Sequence, residues 1–274
     1  MTRLQMILSP AKTMNFEASA VADAAGSSEA VGLARVDELA ALLKRKSKGE
    51  LKGLLDVSDA IAAENAARFA EWDDAETRQA VVAYDGFAYT KLDARTLCAE
   101  DLRVGQRRLL ILSGMWGPVR PLDRIKPYRL EMACKKLPEP YAKLAAYWRD
   151  LSTATLMEGY DPAGDRVLVN IASDEYAAAI DFAAVKAAGV RVLKVDFHQA
   201  GKRAPTVHLK YSRGLVARYI MQHDCDDIDG LKNFDLEGYS FSSIDDDTIV
   251  FARAAAPPKK APPAKSAKKR KAEA

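Results

Sequence analysis

The stretch Leu4-Gln5-Met6-Ile7-Leu8-Ser9-Pro10-Ala11-Lys12-Thr13 decides how the fold is read. Its apolar run is too short for a helix and ends at a Ser-Pro stop, so residues 4–8 read as a short buried strand. Two other segments have the same form. Residues 109–112 run into Ser113-Gly114-Met115-Trp116-Gly117, and residues 167–171 run into Ala172-Ser173-Asp174-Glu175-Tyr176. Open sheets take their ligands at such strand ends. If the three strands are neighbours, Lys12, Ser113, Asn170, Ser173 and Glu175 gather along one edge. The competing role for each hydroxyl is a helix cap or turn former.

Between these strands the apolar positions recur at helical spacing. Residues 31–46 read as a helix with Lys44-Arg45-Lys46 at its C-terminus, broken at Gly49. Residues 50–55 and 60–72 follow, joined by the turn Asp56-Val57-Ser58-Asp59, with Ser58 or Asp59 as a cap. Helical material is also expected at 76–83, 139–158 and 215–223. Residues 190–197, 206–211, 239–241 and 249–251 read as further strands, and 18–30 as a loop. The mixture is α+β, or mixed α/β, in a single compact domain over 1–253 with a central mixed sheet flanked by helices.

The composition suits this. Of 274 residues, 49% are hydrophobic and 8% aromatic, which excludes disorder for most of the chain. A chain of this size buries roughly three quarters of its unfolded surface without staples. Cys98, Cys134 and Cys225 are widely spaced with no Cys-x-x-Cys, so neither a disulfide framework nor a zinc ribbon is expected. The N-terminal apolar run is too short for a signal core and no stretch is long enough for a membrane helix, which makes a reducing cytoplasm the expected location.

Charge is uneven. Residues 254–274 carry seven Lys/Arg and one acid, leaving 34 basic and 37 acidic residues in the body. This Pro/Ala/Lys tail is expected to be disordered, and is either a nonspecific arm for phosphate backbones or a solubilising terminus. Within the body, 103–129 holds seven basic residues and one acid, whereas 224–247 holds nine acids and only Lys232. Such blocks are two solvated faces of one fold, or a polarised surface that draws an anionic partner.

The densest chemistry lies in 117–132, where three prolines fix an irregular path. Arginines on a rigid loop grip phosphate or carboxylate bidentately, which makes Arg120, Arg129 and Tyr128 anion-contact candidates. An internal ion pair of Arg129 with Glu131 or Glu175 is the competing reading. Lys210 and Arg213 sit where a strand is expected to join a helix; an arginine at a helix start opposes the dipole unless an anion is bound. No Gly-x-x-x-x-Gly-Lys, Gly-x-Gly-x-x-Gly or His-Glu-x-x-His motif occurs. In His223-Asp224-Cys225-Asp226-Asp227 adjacent residues point to different faces, so a shared metal is not expected. No cofactor, metal or obligate protein partner is inferred. For an enzyme acting on a nucleotide or other anionic small molecule, Lys12, Glu131, Glu175 and Tyr176 are the acid–base candidates.

Ser9-Pro10-Ala11-Lys12-Thr13, the segment from Ser113-Gly114 to Met132, Asn170-Ile171-Ala172-Ser173-Asp174-Glu175-Tyr176 and Arg213-Gly214 together resemble the YaaA family over residues 4–253. The resemblance implies a cytoplasmic bacterial protein of the peroxide stress response that limits iron-dependent oxidative damage. It implies a family-specific single-domain fold with a positively charged cleft and a helix-hairpin-helix-like element that binds double-stranded or distorted DNA. The hairpin would fall around Asp56, Val57, Ser58 and Asp59, although this turn lacks the Gly-x-Gly of the general pattern. Lys44, Arg45, Lys46, Lys48 and Lys52 could supply charge there. The cleft cations would be Lys12, Arg120, Arg129, Lys210 and Arg213, with Tyr211 adding an aromatic able to stack on a base.

Overall fold

The structure is a computed structural model that describes residues 2–254; the basic tail lies outside the described residues from 255 onward. Its central sheet runs in the order Ser240–Asp245 (β11), Thr248–Arg253 (β12), Val190–Gln199 (β9), Arg166–Asn170 (β8), Leu4–Leu8 (β1), Leu109–Ser113 (β5) and Gly117–Val119 (β6), and Lys202–Arg203 (β10) pairs with β9. Two small ribbons lie off it: Thr13–Met14 (β2) with Tyr84–Asp85 (β4), and Arg78–Gln79 (β3) with Arg124–Ile125 (β7). From β12 to β5 the five strands are parallel, while β11, β6 and β10 are antiparallel additions.

Helices fill the connections. Ala20–Ala25 (α1), Leu33–Lys44 (α2), Lys48–Leu55 (α3), Asp59–Ala70 (α4), Ala80–Ala83 (α5), Phe87–Leu92 (α6) and Ala99–Arg108 (α7) lie between β1 and β5. Leu144–Glu158 (α8) precedes β8, Asp174–Ala177 (α9) and Phe182–Ala187 (α10) lead to β9, and Thr206–His223 (α11) and Ile228–Lys232 (α12) lead to β11. After β1 the sheet grows to β5 on one side, then the chain crosses to the other side for β8, β9 and β12. That reversal places a crevice at the C-terminal ends of β1 and β8, where α/β sheets take ligands.

All five side chains of β1 and of β5 are buried, as their near-continuous apolar runs demand of parallel strands covered on both faces. The α3–α4 hairpin is set by local chemistry. Ser47 and Glu50 form a reciprocal capping box at the start of α3, Asp56 closes it in the left-handed region at φ 53°, and Ser58 caps α4. Gly49 thus lies inside the first turn of α3, and Ser47 makes the break.

Two expectations are corrected. Residues 206–211 are the first turns of α11, so Lys210 and Arg213 lie inside one helix and not at its start. Residues 20–25, expected to be loop, form α1, which buries Ala22 and Ala25. Two close approaches depend on glycine: a Cβ on Gly214 would fall 1.8 Å from the Ala88 carbonyl oxygen, and one on Gly114 would fall 2.6 Å from that of Leu130. The first lets α11 touch α6; the second lets residues 130–132 press against the end of β5.

The opposed charge blocks meet at the N-terminal ends of the strands. Arg108, buried, donates to Asp224 at 2.7 Å, to Asp226 at 2.7 Å and to the Leu4 carbonyl at 3.1 Å. Arg3 joins Asp226 at 2.9 Å. Much of the sequence polarity is spent on this internal seam.

Candidate anion-binding cleft

The hydroxyls of Ser9 and Ser173 meet 3.2 Å apart across the ends of β1 and β8, and the Ser173 amide donates to Ser9 Oγ at 2.9 Å. Asn170 Oδ1 accepts from the Ala172 amide at 3.0 Å, and the Tyr89 hydroxyl donates to the Ser9 carbonyl at 3.0 Å. These polar groups build the turns. Ser113 does likewise: its Oγ accepts from the Met115 and Trp116 amides at 3.2 and 3.0 Å, so its proton goes to Tyr128 Oη, 2.6 Å away.

Beyond these turns lies a charged trio. Glu131 holds Lys12 Nζ at 2.6 Å through one oxygen and accepts from Arg129 Nη2 at 2.8 Å through the other. Arg129 Nη1 donates to the Lys12 carbonyl at 3.4 Å, while its buried Nε has no partner among the described residues. Burial pushes the Glu131 carboxyl up, but bonds from Lys12 and Arg129 outweigh it and hold the group below its ordinary value. Glu175 accepts from the Ala133 amide at 3.0 Å and so pins the same segment.

The trio borders a cavity of about 400 Å³ whose other walls include Asp56, Lys135 and Lys136. A second depression of about 500 Å³ shares Leu54 and Lys136 with it and extends to Lys46 and Glu50. The far wall of both is therefore the end of α3. It is tied to the 133–138 segment by Lys136 Nζ donating to the Gly53 carbonyl at 2.5 Å and by Cys134 Sγ donating to that of Leu54 at 3.5 Å. Lys135 and Lys136 were passed over in the sequence, where the adjacent basic pair after the Pro-rich segment was the available signal.

Of the other sequence candidates, Arg120 lies at a distance, Tyr128 sits directly behind the trio, and Lys210 and Arg213 stand on α11. Arg120 is at the opposite end of the sheet: its guanidinium donates to Gln5 Oε1 and the Thr155 carbonyl at 3.1 Å each. Burial pulls its pKa down, with Asp123 opposing. Its Nη1 and Nη2 groups are bonded to protein at the end of the sheet away from Lys12 and Arg129, so Arg120 is not part of this cleft. Tyr128 is buried, its hydroxyl spent on Ser113 and on Tyr84 at 2.9 Å, and burial pushes its pKa up to about 12. The Arg213 side chain makes no hydrogen bond or ion pair with any described residue; burial lowers its pKa, the nearby Asp174 at the start of α9 raises it and Arg203 lowers it further.

Two cations around one carboxylate leave the trio one net positive charge. Of the acid–base candidates with displaced pKa values, Glu131 moves down, and Tyr176 moves up because of burial and then Glu175. Both shifts lead away from neutrality, whereas a general acid or base works best near it. Among the described residues no group of three or more His, Cys, Asp or Glu is placed to hold a metal ion, and no helix is long and apolar enough to cross a membrane.

The family model described as peroxide stress protein YaaA matches residues 4–244. A UPF0246 protein of Aromatoleum aromaticum is 38% identical over 257 residues, covering 90% of this chain and 98% of its own. A UPF0246 protein of Ralstonia pickettii is 37% identical over 247 residues, covering 88% and 95%. The match spans β1, the charged trio, the α3–α4 hairpin and α11, and by it this chain belongs to the peroxide stress protein YaaA family.

Proposed function

We propose that the protein binds nucleic-acid backbones, double-stranded DNA above all, largely without sequence specificity, and by doing so limits iron-dependent oxidative damage under peroxide stress in the cytoplasm. One observation carries this reading. Lys12, Lys46, Arg129, Lys135 and Lys136 line two adjoining depressions beside the α3–α4 hairpin, against Glu50, Asp56 and Glu131. Cations so placed fit a run of phosphates, and Lys210 and Arg213 extend the basic surface. Each phosphate neutralised releases condensed counterions, and ferrous iron held on DNA is one of these, so coverage of the backbone removes iron from where hydroxyl radicals do harm.

The test is a labelled duplex titrated over a range of salt. Affinity should fall steeply with salt, and Lys135→Gln with Lys136→Gln should weaken binding and flatten the salt slope by roughly one to two units. A duplex bound equally at low and high salt rules the reading out. The second reading, an enzyme acting on a nucleotide or other anionic small molecule, is favoured by the position of Lys12, Ser9 and Ser173 at the sheet's crossover point. Micromolar nucleotide binding that survives the double substitution would support it.

A further inference from the structure

One surface outside this cleft is both apolar and cationic. Phe87, at the start of α6, is 46% exposed, and Val207 on α11 is 48% exposed. The rings of Phe87 and Tyr211 meet edge to face with centroids 5.1 Å apart. Lys210 Nζ lies 5.9 Å from the Phe87 centroid, and Lys91 Nζ, held by Glu237, lies 5.9 Å from that of Tyr211. Val207, Lys210 and Tyr211 fall at i, i+3 and i+4 and so share one helix stripe. Arg213, partly buried and without an ion pair among the described residues, follows on the same helix.

The patch adjoins the cleft. Thr13, next to Lys12, pairs with Asp85, two residues before Phe87. Exposed apolar side chains that are grouped, as Phe87 and Val207 are around Tyr211, mark interaction sites. Flanking cations select a planar partner that carries negative charge beside it. A nucleobase with its phosphates has both, and base–aromatic stacking is tolerant of sequence.

We propose that Phe87 and Tyr211 form a stacking platform for an unpaired base of a single strand, with Lys210 and Arg213 meeting the adjoining phosphates. A duplex keeps its bases stacked inside and reaches only the cations, so the platform confers affinity for single strands separate from that for duplex. The proposal rests on the nucleic-acid reading above and names a further ligand for it.

The experiment compares the full chain and its variants on a labelled oligo-dT strand and on a duplex of equal length at one salt concentration. Phe87→Ala should weaken the strand by roughly tenfold, the usual loss of one stacked base, and leave the duplex within about twofold; Tyr211→Ala should act in the same direction and Phe87→Trp should retain strand binding. A 2-aminopurine in the strand should be quenched by the parent protein and not by Phe87→Ala. Equal effects of Phe87→Ala on strand and duplex, or none on either, overturn the platform while leaving backbone binding intact; a platform meant for an acidic peptide gives the second of these. A parent protein that binds neither nucleic acid overturns both. Thermal melts establish that the variants are folded, and Tyr211→Ala carries the test if Phe87→Ala is not.

Discussion

Glu131→Gln should tighten polyanion binding. In the parent protein Glu131 sits between Lys12 and Arg129 at 2.6 and 2.8 Å, so the trio carries one net positive charge. The amide keeps the shape and removes the anion, which leaves two. One more available cation adds up to one phosphate contact, steepening the salt slope by about 0.9 and raising affinity about eightfold at roughly 0.1 M salt relative to 1 M. Stability should fall by only about 1 kcal/mol, because Lys12 is 61% exposed and its pair is screened. Anisotropy of a labelled duplex across a salt series, with a thermal melt, measures both quantities. A folded Glu131→Gln protein that binds more weakly, or with an unchanged slope, would refute the idea that the carboxylate restrains the cleft cations.

Four further outcomes are expected. Arg108→Ala should cost about 2–4 kcal/mol in urea melts, since it empties a buried site and removes the bonds to Asp224, to the Leu4 carbonyl and one of the two cations on Asp226. Asp226 also sets a pH dependence: burial raises its pKa, but bonds from Arg108 and Arg3 bring it to about 2 against 3.8 when free. Its folded value being depressed, the stabilisation is present above pH about 3.8 and is lost as pH falls toward 2; discounted for exposure it amounts to about 1 kcal/mol and should shrink in Arg108→Ala. Arg120→Ala should destabilise by about 2–4 kcal/mol through its lost carbonyl and Gln5 bonds while leaving the DNA salt slope unchanged. Gly214→Ala should cost about 3 kcal/mol in the same melts, because its methyl meets the Ala88 carbonyl.

The strands were legible wherever burial leaves a one-dimensional trace. β1, β5 and β8 are covered on both faces, and their apolar runs mark their ends to within a residue. Residues 206–211 mislead for the converse reason. Val207, Leu209 and Tyr211 alternate as in a strand, yet α11 leaves Val207 exposed and buries Ser212 and Gly214, small residues that carry no hydrophobic signal. α1 buries only alanines and offers no periodicity to read. Of the site, Lys12 and Glu175 could be placed on one edge because their strand ends led there, and Arg129 with Glu131 or Glu175 could be read as an ion pair, the first of which forms. Arg120 could not be excluded: a guanidinium that grips carbonyls looks the same in sequence as one that grips phosphate, and only the direction of the sheet tells them apart.

That direction also decides where a body with slightly more acids than bases carries its surplus positive charge. At the N-terminal ends of the parallel strands Arg3, Arg108 and Arg120 are matched by Asp224, Asp226, Gln5 and main-chain carbonyls, so a high count of arginines leaves little field outside. At the C-terminal ends two cations share one carboxylate, Lys135 and Lys136 add to them, and Arg213 makes no ion pair with any described residue. The surplus, and not the total, sets the potential that a ligand meets. Because that surplus rests on one shared carboxylate, a single neutralising substitution at position 131 should change the cleft more than the loss of any arginine from the opposite end.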